Sequence, residues 1–310
     1  MENSGKKEQR VSGDRVVITS FLVDLSDIAL SIFIAILSGS VVMLSQVLEG
    51  VADLTSSGLL LIGLNRSKQS PDKTHPFGHG REIYFWTLIA GLLMFGISAT
   101  FSIHFGWDRF NHPAPIHDIY LAFIVLGITL FTNGYAFWLS FKRLLKNRSF
   151  KKILQIFYRS SLVETKTTFI LDLLGTVSSL LGIIALALYK ITGDYRFDGI
   201  GAMVIGTTTG IFAYFLILSI KDLLVGKSAS FEAESAIRNA ALTVPEVRKI
   251  LDLKTMHIGS EKLLVNMEVH LNNNLTTDQI EKLVDKIKEN ILKEVPAVKH
   301  IQVELETPSK

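Results

Sequence analysis

Six stretches of apolar residues, interrupted only by isolated polar positions, fill the chain up to Leu224: Val16–Leu37, Val41–Leu64, Ile83–Phe105, Ile119–Phe141, Leu162–Tyr189 and Gly199–Leu224. A helix rises about 1.5 Å per residue, so each stretch can cross a hydrocarbon core of roughly 30 Å. From Ala229 onward the pattern changes to that of a water-facing domain. Glu232–Leu242 and Thr276–Leu292 read as helices, and Ile250–Ile258, Leu263–Leu271 and Val298–Leu305 as strands. In the second strand Val265, Met267, Val269 and Leu271 alternate with Asn266, Glu268 and His270, as in a sheet with one buried face. An αββαβ order with its helices on one sheet face is the ferredoxin-like plan. The predicted fold is an α-helical membrane protein with six transmembrane helices plus a C-terminal α+β ferredoxin-like (αββαβ) cytoplasmic domain. Its expected divisions are residues 1–15, an N-terminal cytoplasmic segment; 16–226, the transmembrane domain; and 227–310, the cytoplasmic domain.

Composition agrees with that pattern. Hydrophobic residues make up 48% of 310 positions, too many for an ordinary soluble enzyme of this size. Basic residues cluster in alternate links. Lys6, Lys7, Arg10 and Arg15 precede the first span; Arg66, Lys68, Lys73 and Arg81 follow the second; Lys142 through Arg159 follow the fourth. The opposite links hold only Arg109, Lys190 and Arg196, so both termini and the basic links are expected in the cytoplasm. The net charge of +3 is therefore a topology signal, and no nucleic acid partner is implied. Trp86, Trp107 and Trp138 stand near span ends, as interfacial anchors do. No small-residue cleavage site follows the first apolar run, which reads as a retained span. The chain has no cysteine, so any metal ligands must be His, Asp, Glu or hydroxyl oxygen.

The densest group of such ligands is Asp72-Lys73-Thr74-His75-Pro76-Phe77-Gly78-His79-Gly80. It offers a carboxylate and two imidazoles four residues apart, while Pro76 and the glycines define a bend. These residues resemble, position by position, the loop between the second and third transmembrane helices of cation diffusion facilitators. Thr255-Met256-His257-Ile258-Gly259 is similar to a segment of that family's C-terminal domain, and the resemblance runs from Val16 to Glu306. The run from His75 through Tyr84-Phe85-Trp86 looks more like a prokaryotic branch than like the best-known zinc exporters.

Acidic residues inside spans are costly and therefore functional candidates. Glu49 and Asp53 share a face of the second span. Asp53 and Asp172 each lie about eleven residues from a cytoplasmic span end, at a matched depth near 16 Å. The family's transport site is built from two acids four apart on the second span and a pair four apart on the fifth; the resemblance carries these roles to Glu49, Asp53, Thr168 and Asp172. Zinc-selective members hold His where this chain has Thr168 and Asp where it has Glu49. Oxygen-only ligation favours harder ions such as Mn²⁺, Mg²⁺ or Fe²⁺. Asp27, and Asp24 beside it, are additional ligand or proton-carrier candidates, the alternative being a hydrated vestibule. Asp72, His75 and His79 form a second candidate site; the plainer alternative is a solvated loop capping the third span. On the C-terminal sheet, Glu268 and His270 with His257, His300 and Glu304 are either a solvated polar face or a regulatory metal site.

The resemblance implies efflux of a divalent cation (Mn²⁺, Fe²⁺, Zn²⁺ or similar) by proton-coupled antiport, from a homodimer in the cell membrane. Metal ions, protons and membrane lipid are the expected partners, the metal being cargo and not a resident cofactor. No phosphate-binding glycine motif and no paired nucleophile and base are present, so no enzyme is expected. The rival functions are a metal-responsive receptor or scaffold and a non-transporting partner subunit.

Overall fold

The computed structural model describes the backbone of residues 13–145 and 163–307, and side chains at 25–142, 163 and 165–307. The 1–15 segment is therefore largely outside the described residues, as are the basic link from Lys146 to Arg159 and the side chains of Asp24 and Glu164. The helices are α1 (Gly13–Ser38), α2 (Val41–Ser67), α3 (Glu82–Leu93), α4 (Thr100–Asn111), α5 (Ile119–Leu145), α6 (Val163–Thr192) and α7 (Arg196–Val225). A π-helical turn, Met94–Ala99, joins α3 to α4 within one span, a break that the apolar run gives no sign of. Five spans are long and apolar enough to cross a membrane among the described residues, α3 and α4 counting as one. The 26-residue α1 would extend about 39 Å, which supplies the sixth. The protein is a multi-pass membrane protein.

The chain forms two compact units. The first comprises Met1–Gly58, Ala90–Trp138 and Leu171–Tyr214. Its apolar core includes Val42, Met43, Leu126, Leu186 and Ile205. Small residues let α4 and α7 touch backbone to backbone: a Cβ on Gly199 would lie 2.6 Å from Gly106 O, and one on Gly106 would lie 2.7 Å from Gly199 O. Close approach of this kind replaces the hydrophobic drive that lipid cannot supply.

Asp198, at the start of α7, is the structural anchor of the first unit. Fully buried, it accepts hydrogen bonds from Ser40 Oγ at 2.6 Å and from the backbone N–H groups of Val41 and Val42 at 2.9 and 3.0 Å. It thus caps α2 from another helix, satisfying N–H groups that a helix start leaves open. Arg109 Nε stands 3.4 Å from the same carboxylate, and the guanidinium also donates to Gly39 O and Ala114 O.

The second unit comprises Leu59–Ile89, Leu139–Ile170 and Phe215–Lys310. Lys166 is fully buried and donates to Ser219 Oγ at 3.2 Å. Beyond α7 come α8 (Phe231–Leu242), β1 (Val247–Gly259), β2 (Lys262–Leu271), α9 (Thr277–Glu294) and β3 (Val298–Leu305). Each expected element is present within a few residues of its predicted bounds. Ser230 caps α8, and Thr276 with Gln279 forms a capping box at α9. The sheet order is β1-β2-β3, antiparallel then parallel, with α9 making the crossover. Val265, Met267, Val269 and Leu271 point into a core shared with Ile237, Ile287 and Ile291.

Register corrects one expected neighbourhood. Asp252, Glu268 and Glu304 align in a row across the three strands, whereas His257 pairs with Leu263 on the opposite, buried face. His257 therefore cannot join Glu268. Burial, reinforced by Lys227 and Lys166, lowers its pKa to about 4. Unfolded histidine titrates near 6.5, so between those values the unfolded chain takes up a proton that the fold refuses. Stability should therefore fall on acidification from pH 7 to pH 4 by roughly 2–3 kcal/mol from this residue. Thermal melts of the full-length protein across this range should show a shallower acid loss for His257→Phe than for wild type; identical slopes would remove His257 from the account.

Candidate metal centre

The loop after α2 is shaped around Asp72. One carboxylate oxygen accepts from Thr74 N, Thr74 Oγ1 and His75 N, each at 2.7 Å. The other meets His79 Nε2 at 2.9 Å. The Thr74 hydroxyl first, then His79 and the His75 amide, hold this carboxyl well below the usual carboxylate range, so it is ionised at any physiological pH. Gly78, at φ +80°, makes the bend, and the rings of His75 and His79 come within 4.2 Å. One donor atom from each of Asp72, His75 and His79 lies within 4.8 Å of the others. Among the described residues this is the single cluster of three such side chains so gathered.

The same loop is seated on the β1–β2 hairpin. Gly80 packs so closely that a Cβ there would lie 2.3 Å from Ile258 O and 3.1 Å from Gly259 Cα. Arg81 Nη2 approaches Met256 Sδ at 2.9 Å, Phe77 meets His300 edge-on at 5.2 Å, and Lys262 Nζ donates to Ser67 O at 3.3 Å. The two sequence segments that carried the family resemblance are thus spatial partners, which no reading of either alone could show.

In the first unit, α2 turns Glu49 and Asp53 into a cavity of about 50 Å³ that is also lined by Asp27, Gln46, Thr129 and Asn133. Thr132 Oγ1 donates to Asp27 at 3.3 Å. Glu49 is 4% exposed; both its carboxyl oxygens are sealed in without a hydrogen bond of ordinary geometry, Ser178 being the neighbouring hydroxyl. Asp172 lies on α6 but does not line this cavity; Gly175, one turn further on, does, with Asn133 pressed so near that a Cβ would sit 2.7 Å from Asn133 Nδ2. Glu49, Asp53 and Asp172 do not form a group of donors within 4.8 Å among the described residues. Thr168 falls in the second unit. His104, His112 and His117 are exposed. Sequence reasoning missed Asp198, and Gln46, whose place one turn before Glu49 was the available signal.

A multi-pass helical domain followed by an α/β domain, with acids buried between helices and an Asp/His cluster at a helix end, is the plan of a cation transporter. The model of the cation efflux transmembrane domain matches residues 17–225, and that of the cation efflux protein cytoplasmic domain matches residues 229–308. The chain belongs to this family, the cation diffusion facilitators. It is 29% identical over 276 residues to the proton-coupled zinc antiporter SLC30A9, mitochondrial, of Homo sapiens, covering 88% of this chain and 48% of that protein. It is 23% identical to zinc transporter ZitB of Pectobacterium atrosepticum, covering 94% and 84%, and 22% identical to magnetosome protein MamB of Paramagnetospirillum magneticum, covering 90% of each. The chain spans about half the length of the first of these relatives. Among solved structures, a nickel form of a MamM C-terminal-domain variant matches 26% of this chain and all of its own, at 19% identity and a TM-score of 0.24.

The Gly80 contact generates a test. Gly80→Ala should lower the melting temperature by several degrees, corresponding to about 1–3 kcal/mol of forced backbone shift. It should also raise amide exchange in residues 68–81. Unchanged exchange in that loop would mean that Gly80 does not seat it.

Proposed function

We propose that the chain exports a divalent metal cation from the cytoplasm by alternating access, with protons moving in exchange. The observation that carries this reading is the buried cavity gathering Glu49, Asp53 and Asp27 in a member of the cation efflux family. Metal and protons compete for the same carboxylates, so protonation on the far side releases the ion and a less acidic cytoplasm reloads it. Asp172 and Thr168 complete the ion site from α6, and Asp27 serves as ligand or proton carrier. Asp72, His75 and His79 bind a second ion that organises the loop and is not itself moved. A relative named as a proton-coupled zinc antiporter supports the coupling. Thr168 in place of an imidazole favours a harder ion than zinc, such as Mn²⁺ or Fe²⁺.

Residues 16–226 form the membrane domain and 227–310 the cytoplasmic one, through which two copies pair as a homodimer. The match to a cytoplasmic domain model from residue 229 supports that division. The basic links place both termini in the cytoplasm of a cell-membrane protein.

Purified protein in sealed liposomes tests the function. Asp53→Ala and Asp172→Ala should each cut metal flux driven by a proton gradient by at least tenfold while leaving expression intact. Wild-type flux in both would sink the proposed site, and metal binding without flux in the parent protein would favour a receptor or a non-transporting subunit.

For selectivity, Thr168→His should move preference toward Zn²⁺ in competition flux assays, because it adds the nitrogen ligand that the oxygen set lacks. An unchanged order among Zn²⁺, Mn²⁺ and Fe²⁺ would mean that Thr168 does not face the ion.

A further inference from the structure

Gln46 is a buried polar group that neither the fold nor the proposed ion path uses. It stands three residues before Glu49 and seven before Asp53, so all three share one face of α2, and it lines the same cavity. The residue is 9% exposed. Among the described residues its amide nitrogen meets no acceptor. Its amide oxygen lies 3.4 Å from Ser179 Oγ, but that hydroxyl has one proton and two nearer acceptors, Gly175 O at 2.8 Å and Thr129 Oγ1 at 3.1 Å. Both ends of the amide are therefore under-satisfied.

A buried amide left in this condition destabilises the fold, a cost that an apolar residue of similar volume would avoid. Glu49, a turn away, presents the complementary lack, buried acceptors without a donor of ordinary geometry. A cavity of about 50 Å³ has room for an ion or a water or two. Donor and acceptors held open beside such a space are what a site needs when its occupant changes between a cation and nothing.

We propose that Gln46 is an ion-site residue whose amide works in both directions. With a divalent cation held by Glu49 and Asp53, it turns Oε1 inward as a neutral ligand. When the ion leaves, rotation about the terminal torsion turns Nε2–H toward the Glu49 carboxylate, which then keeps a hydrogen bond. A neutral oxygen adds coordination without adding charge, so the ion is bound and still released. This inference rests on the reading of the cavity as the ion site.

The test is metal flux in proteoliposomes, measured over a series of Mn²⁺ and Zn²⁺ concentrations, for wild type, Gln46→Leu, Gln46→Glu and Asp53→Asn. Gln46→Leu should raise KM at least fivefold with a smaller change in maximal rate, since a ligand is lost and the release path is kept. Gln46→Glu, of the same shape but with a charge and no N–H, should lower KM and slow the maximal rate several-fold. A wild-type KM and metal order in a folded Gln46→Leu protein overturns the proposal, provided Asp53→Asn is inactive. Should Gln46→Leu fail to fold, wild-type KM and maximal rate in Gln46→Glu overturn it equally. Full flux in Asp53→Asn would instead bring down the ion-site reading, and this inference with it.

Discussion

The structure turns on how a carboxylate survives away from water, a cost of several kcal/mol unless partners replace the lost hydration. Two acids in the first unit solve it in opposite ways. Asp198 has a hydroxyl, two backbone N–H groups and Arg109 around it, every one supplied by the protein and fixed by helix ends. Glu49 has a cavity and the neighbouring Ser178 hydroxyl. The first arrangement is complete, and nothing is gained there by admitting a ligand. The second leaves both carboxyl oxygens without a hydrogen bond of ordinary geometry, the setting on which the proposed ion site rests. Because Asp198 holds the N-terminus of α2 and Glu49 rides on the same helix, the satisfied acid positions the unsatisfied one.

A comparable economy links the loop to the C-terminal sheet in the second unit. Asp72 spends its lone pairs on Thr74, His75 and His79, which fixes the loop before any ion is bound and leaves the imidazoles close together. Gly80 then has to be glycine for a reason unrelated to metal chemistry: the backbone of Ile258 and Gly259 occupies the place of its side chain. The histidines and the hairpin are therefore mechanically joined. An ion that drew His75 and His79 nearer to Asp72 would pull on Ile258 through one residue.

Much of this was legible in the chain. Periods of two and of 3.6 gave the C-terminal elements because each has one buried face; Leu271 and Ile287 point inward where the pattern says they must. Span number followed from length and hydropathy, and the spacing of His75 and His79 announced the loop cluster. What stayed hidden depends on distance in space. Asp198 looks like any acid at a helix start, since the groups it caps belong to a helix more than 150 residues away. The reason for Gly80 lies in another domain-length of sequence. His257, placed by its neighbours in sequence among candidate ligands, is turned to the core by strand register. The π turn at Met94–Ala99 leaves the hydrophobic run intact, so hydropathy is blind to it.

The proposed role of Thr168 follows from the same electrostatics. An imidazole in an ion site titrates near neutrality and so lets protons compete with metal in the physiological range. A site of carboxylates and hydroxyls leaves that competition to the acids alone. On the proposed reading, an acid with few partners, beside the Gln46 amide, is where metal and proton compete without an imidazole among the ligands.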